Sequence, residues 1–224
     1  MSVLTAKHLL SVSHLEFMAT VPAGARLLLP NIPWTDYEYL LGEITDSSQV
    51  RLHYDQGNLE IMTLSPLHES IKVLFSHLLS VLTDELDFGL ISLGSTTFKL
   101  PAVARGTEPD DCFYIRRAAA IEGNITIDLT VDPGPDLVIE VDLSHPSLNK
   151  MPIYASLDVT ELWRYDGTAL HFYLLNNGTY DEIFSSDLFP FLTPQALSQF
   201  LEPGKFRDIN KMTKNFREWV RANK

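Results

Sequence analysis

The chain has 224 residues, 45% of them hydrophobic, which suits one domain with a buried core and short extensions. Its net charge of −12 argues against a general nucleic-acid binder, whose affinity for phosphate rests largely on Lys and Arg. No stretch approaches the roughly 18 apolar residues of a membrane span, and the lone Cys112 rules out an intrachain disulfide and fits a reducing cytoplasm.

In the N-terminal segment MSVLTAKHLLSVSHLEF, the residues Lys7, His8, His14 and Glu16 break up the apolar run. It lacks the apolar core and small-residue cleavage site of a secretory signal, and residues 1–29 read as an extension. Trp34-Thr35-Asp36-Tyr37-Glu38 predicts a helix start, with Thr35 as N-cap and Glu38 completing a capping box. Val50 to Tyr54 and Leu59 to Thr63, around Asp55-Gln56-Gly57-Asn58, predict a β-hairpin. Ser65-Pro66 opens a long helix, along which Leu67, Ile71, Leu74, Leu78 and Val81 keep a 3.6-residue period, with Phe75 widening the stripe. His68 falls at the edge of this stripe and Glu69 roughly opposite it.

Three strands are expected next: Leu90 to Leu100, Asp111 to Ile115, and Pro135 to Val141. The continuous apolar run of the third marks a strand covered on both faces. A helix follows from about Lys150 to Leu157. Glu161 to Tyr165 and Ala169 to Leu174 form a hairpin across Asp166-Gly167. Trp163, Tyr165 and Tyr154 read as packing residues. Helices and strands in this order give an α/β or α+β core, a central mixed sheet flanked by helices. From Gly204 to Lys224 there are seven basic and two acidic residues, leaving 10 basic and 27 acidic in the first 203. The body at 30–203 is therefore acidic and the 204–224 tail basic; the tail reads as an amphipathic helix docking on a body rather than a nucleic-acid arm.

Two acids stand out by position. Asp110 follows Glu108-Pro109 at the mouth of a strand, and Glu140 ends the run Leu137-Val138-Ile139. A carboxylate there is costly to bury unless protonated, paired or metal-bound; two of them suit Mg²⁺ or Mn²⁺ and a phosphate substrate. The alternative is that each caps a strand end in solvent. Lys150 near a helix N-terminus opposes the helix dipole by roughly 0.3–1 kcal/mol, and is either functional or a surface lysine with its head in water.

Taken in order, Glu108-Pro109-Asp110, Pro135-Asp136-Leu137-Val138-Ile139-Glu140-Val141, Lys150 with Tyr154, and Glu161-Leu162-Trp163-Arg164-Tyr165-Asp166 resemble the Uma-two family of restriction endonucleases in the PD-(D/E)XK nuclease superfamily, over about residues 30 to 200. The resemblance implies a restriction-endonuclease-like core with a four-stranded mixed sheet and the site at one sheet edge. It implies Asp110 and Glu140 as the two acids, which hold Mg²⁺ or Mn²⁺ with the Val141 carbonyl. It also implies Lys150 as the lysine, carried on the following helix, and His68 as an added polar residue. The usual motif puts that lysine two residues after the second acid, where this chain has Asp142. DNA is the implied partner, and a homodimer stays open. Two rivals to an endonuclease are a nuclease fold kept as a non-catalytic interaction module and a metal-dependent hydrolase of small phosphodiesters.

Overall fold

A computed structural model of the protein describes residues 21–44, 50–124, 126–143, 148–201 and 208–224. The residues at 1–20, including Lys7, His8, His14 and Glu16, and the tail residues Lys205 and Arg207 lie outside the described residues.

Two sheets make up the α/β architecture. The first is antiparallel, in the order β1 (Arg26–Leu29), β3 (Asn58–Thr63), β2 (Val50–Asp55), β6 (Arg105–Thr107) and β5 (Phe98–Leu100). The second runs β11 (Thr179–Ile183), β10 (Leu170–Asn176), β9 (Glu161–Tyr165), β8 (Leu137–Val141), β7 (Asp111–Tyr114) and β4 (Ile91–Ser92). It is mixed, because β8 and β9 run parallel while its other neighbours are antiparallel. Among the described residues it has six strands rather than four.

Local chemistry explains most of these elements. The β2–β3 loop is two residues, Gln56 and Gly57, with φ of 47° and 98°. Positive φ at both positions matches the twist of the flanking strands. Asn177 and Gly178 repeat the device, with φ of 49° and 81°, and join β10 to β11, a strand the sequence reading missed. The first helix, α1 (Trp34–Glu43), begins one residue before Thr35: its N-cap is Pro33, with no side-chain cap, so Thr35 lies in the first turn. The long helix α2 (Pro66–Leu86) is capped by the Ser65 hydroxyl, which accepts the His68 amide at 3.2 Å. The expected single strand from Leu90 to Leu100 is two strands. Gly94, with φ 59°, turns the chain out of β4 in the second sheet and towards β5 in the first.

Period-two alternation decides what each sheet face holds. On β8, Leu137, Ile139 and Val141 pack with α2 and with α4 (Pro194–Leu201) and α5 (Ile209–Asn223) in the main core. Val138 points to the other face, towards α3 (Met151–Ser156). On the first sheet, Leu52, Tyr54, Leu59 and Ile61 pack under α1, which turns His53 and Glu60 to the opposite face. Trp163 and Tyr165 are buried in the main core as expected, with Trp163 stacked on Phe172 at 4.4 Å between ring centroids.

The basic tail forms α5, N-capped by Asp208, and docks through buried Met212, Phe216 and Val220. Arg217 meets Asp84 and Glu85 at 2.5 and 2.6 Å, and Arg221 meets Glu85 at 2.8 Å. These charges are committed to the end of α2. Among the described residues no helix is long and apolar enough to cross a membrane.

Candidate active site

The antiparallel register pairs Asp111 with Ile139 and Cys112 with Val138. One step further along the same ladder sets Asp110 opposite Glu140. Residues directly opposite share a face and bring their side chains close. Asp110 and Glu140 are each 2% exposed, so neither caps a strand end in solvent. Burying two carboxylates demands compensation, and the surrounding elements supply it.

Asp110 Oδ2 accepts the Val141 amide at 2.7 Å. His68 reaches the same oxygen from the first turn of α2, with Nε2 at 2.9 Å. That approach is close enough for charge pairing but off a hydrogen-bond line, and Nε2 is buried without a hydrogen-bond partner. Its Nδ1 lies 3.2 Å from Glu69. Burial works against a charged imidazole, but the two carboxylates outweigh it and raise His68 to about 9. Burial would raise Asp110 as well; His68, Lys150 and the Val141 amide overcome this and hold it below the usual carboxylate range.

Glu140 has both oxygens engaged. Lys150 Nζ contacts Oε2, and the Tyr154 hydroxyl donates to Oε1. Burial pushes the Glu140 carboxyl up to about 7, against the pull of Lys150. Lys150 is 7% exposed, so it is no surface lysine. Burial lowers its pKa, but Glu140, Asp142 and Asp110 more than restore it, and the ammonium is held charged. Its Nζ also lies 3.8 Å from Asp142 Oδ1. The residue two places after Glu140 on this strand is thus an acid, and the ammonium arrives beside it from the N-cap of α3.

Several members of this cluster were not found from the sequence. Asp142 binds Arg26 and Arg164 at 2.9 and 2.8 Å, and Arg26 also binds buried Glu60 at 2.9 Å. The boundary drawn at residue 30 leaves Arg26 in the extension, yet β1 is a paired strand that carries it into the site. Tyr154 does more than pack its helix, because its hydroxyl belongs to the Glu140 shell. Behind it, Thr107 lies 3.3 Å from the Tyr154 hydroxyl and 2.7 Å from His53 Nδ1. Removing the hydroxyl in Tyr154→Phe leaves a Glu140 oxygen short of a donor, and is expected to cost about 1–3 kcal/mol. Urea denaturation checks this; a loss below about 0.5 kcal/mol contradicts the assigned contact.

Four buried carboxylates, Asp110, Glu140, Asp142 and Glu60, thus face Arg26, Arg164 and Lys150, with His68 as the fourth positive charge. Among the described residues no three His, Cys, Asp or Glu converge as a complete metal shell. Mg²⁺ keeps several waters and needs only one or two carboxylates, so the donor chemistry of Asp110 and Glu140 fits a hydrated ion. In an extended strand the amide and carbonyl of one residue point to the same edge. The Val141 carbonyl therefore shares the side on which Asp110 takes its amide. Lys150 is the competitor for Glu140. A cavity of about 360 Å³, lined in part by Glu140, Asp142, Asn149, Lys150, Tyr154 and Arg164, opens beside it.

Comparison with known proteins gives one family. A model of the Uma2 family, described as "Putative restriction endonuclease", matches residues 34–202. A solved structure described as a putative nuclease belonging to DUF820, from Anabaena variabilis, is similar at 14% identity. That likeness covers 83% of this chain and 99% of the other, with a TM-score of 0.45. No curated protein matches.

Proposed function

From the premise that this chain belongs to the Uma2 family of putative restriction endonucleases, we propose that it is a Mg²⁺- or Mn²⁺-dependent endonuclease hydrolysing phosphodiester bonds of DNA. The observation that carries this reading is the buried pair Asp110 and Glu140, opposite each other on β7 and β8, with Lys150 against Glu140. Asp110, Glu140 and the Val141 carbonyl are the groups that hold the ion. A bound divalent ion lowers the pKa of its water and polarises the phosphoryl oxygen.

The chain's own residues supply the rest. Lys150 keeps a full charge beside Glu140 and Asp142, where it stabilises negative charge developing on the phosphorus oxygens. His68 sets Asp110 from one side and the Val141 amide sets it from the other. Tyr154 fixes the rotamer of Glu140. Arg26 and Arg164 take up the Asp142 oxygens at 2.9 and 2.8 Å, which leaves Lys150 nearer to Glu140 than to Asp142.

Incubation of supercoiled plasmid with Mn²⁺, beside a chelator control and Asp110→Ala, tests the reading. Nicking by wild type alone, and only with metal, is the expected result. Asp142, standing two residues after Glu140 where the resemblance implies a lysine, favours a second reading, a nuclease fold retained for interaction. Intact plasmid with every divalent ion tried selects it, and turnover confined to chromogenic phosphodiesters selects a small-substrate hydrolase instead.

A further inference from the structure

Arg51, on β2, is the exception among the arginines of the described residues. Arg26, Arg105, Arg116, Arg117, Arg164, Arg217 and Arg221 each hold a carboxylate within ion-pair distance; Arg51 holds none among the described residues. Its guanidinium donates to the Val50 carbonyl at 3.2 Å and to Ser95 Oγ at 2.9 Å, two of five available N–H donors. Its Nε is buried without a hydrogen-bond partner. A charged guanidinium with spare donors in a polar setting suits an anionic ligand.

The group lines a polar cavity of about 460 Å³, walled by Ser95, Thr96 and Thr97 with Leu41 and Ile44 at its apolar side. Ser95 accepts from Arg51, which leaves its own hydroxyl hydrogen free to donate inward. The acid on this wall, Glu108, feels the Arg51 charge but forms no direct ion pair with it and spends its oxygens elsewhere. Its Oε2 accepts the Leu52 amide at 2.8 Å and its Oε1 the Thr97 hydroxyl at 3.1 Å, while burial pushes its carboxyl up. Glu108 also sets the cavity's place. It precedes Asp110 by two residues, so their Cα atoms are at most about 7 Å apart.

We propose that Arg51 and Ser95 form a phosphate subsite beside the Asp110 centre, taking a backbone phosphate of the nucleic acid next to the bond that is cut. The identity of the ligand rests on the nuclease reading above; the anion preference does not. A planar guanidinium fork with spare N–H groups matches two phosphate oxygens at once, and a serine hydroxyl adds a third donor. The strand that carries Arg51 also carries His53 towards Thr107 and Tyr154, so one rigid element spans the subsite and the Glu140 shell.

The test uses the full chain as wild type, Arg51→Gln, Arg51→Lys and Ser95→Ala. Thermal melts compare inorganic phosphate with chloride at matched ionic strength, and a 20-base-pair duplex is titrated in chelator across a salt series. Phosphate is expected to raise the wild-type melting temperature, to do so less for Arg51→Lys and Ser95→Ala, and not at all for Arg51→Gln. The duplex is expected to bind Arg51→Gln about tenfold more weakly, with a salt slope shallower by about 0.9. An equal phosphate gain in wild type and Arg51→Gln overturns the subsite, whatever the plasmid assay gives. If phosphate protection depends on Arg51 but duplex binding does not, the backbone assignment falls and a free phosphoryl compound is the ligand. The Asp110→Ala plasmid control reports on the nuclease reading separately, because Asp110 takes no part in this cavity.

Discussion

Lys150→Met is expected to cut DNA a hundredfold to a thousandfold more slowly than wild type, with its fold intact. A preorganised donor aimed at developing charge is worth roughly 2.7–4 kcal/mol of barrier, and Lys150 is both buried and held charged by three carboxylates. The side chain volume is nearly kept in methionine, so packing of α3 on the second sheet survives. What changes is the charge beside Glu140. That carboxyl is already pushed to about 7 by burial, and loss of the ammonium lets it take up a proton more readily still. Raised carboxyl groups cost stability as pH rises. The variant should therefore fall further behind wild type as the pH rises from 6 towards 9. Single-turnover cleavage at saturating Mn²⁺, with melts at both pH values, reads the two effects. A rate within a few-fold of wild type removes Lys150 from the chemistry.

Arg26→Met carries the other large expected effect, on stability. Its guanidinium sits between Glu60 and Asp142, at 2.9 Å from each, with both carboxylates buried. Breaking a buried pair by removing one partner costs about 3–5 kcal/mol, because a desolvated charge is left without compensation. Asp142 keeps Arg164 and Lys150, and Glu60 keeps the Leu148 amide at 3.2 Å, which places the loss at the lower end. Adding Glu60→Gln to the variant should recover part of it. Chemical denaturation of the single and double variants measures both numbers, and a single-variant loss under about 1 kcal/mol contradicts the account of this cluster. Arg26 precedes the family-matched residues 34–202, so the effect also measures how far β1 belongs to the site.

Where sequence signals were local, they read correctly. Ser65-Pro66 opens α2 where the capping chemistry requires, and the hairpins around Gln56-Gly57 and Asp166-Gly167 form. The tail helix docks on α2 as its amphipathic pattern implied. Misreadings came where a short signal was given the wrong weight. Gly94 interrupts a strand-like run and sends its two halves to different sheets, and Asn177-Gly178 is a strong turn that was passed over. Pro33 outcompetes Thr35 for the start of α1. The order of family fragments marks Asp110, Glu140 and Lys150 as candidates, and the edge of a stripe marks His68; the structure brings these four side chains into one buried cluster. Arg26 and Glu60 had no such signal. Arg26 meets Glu60 across 34 residues through the β1–β3 pairing within the first sheet, and reaches Asp142, which follows β8 of the second sheet, across 116. Tyr154 was legible as a buried aromatic, but its hydroxyl partner was not, since nothing near it in the chain marks Glu140 as its acceptor.

The central claim, that Asp110 and Glu140 together hold a divalent ion, is tested most directly by thermal melts of wild type and Asp110→Asn in chelator and across a Mn²⁺ titration. In chelator, Asp110→Asn is expected to melt somewhat lower, because His68, Lys150 and the Val141 amide all favour the charged carboxylate. Wild type is then expected to gain about 2.7 kcal/mol when free Mn²⁺ reaches a hundred times its dissociation constant, and the variant to gain little or nothing. Equal gains in the two proteins contradict the account, since Asp110 is then no ligand.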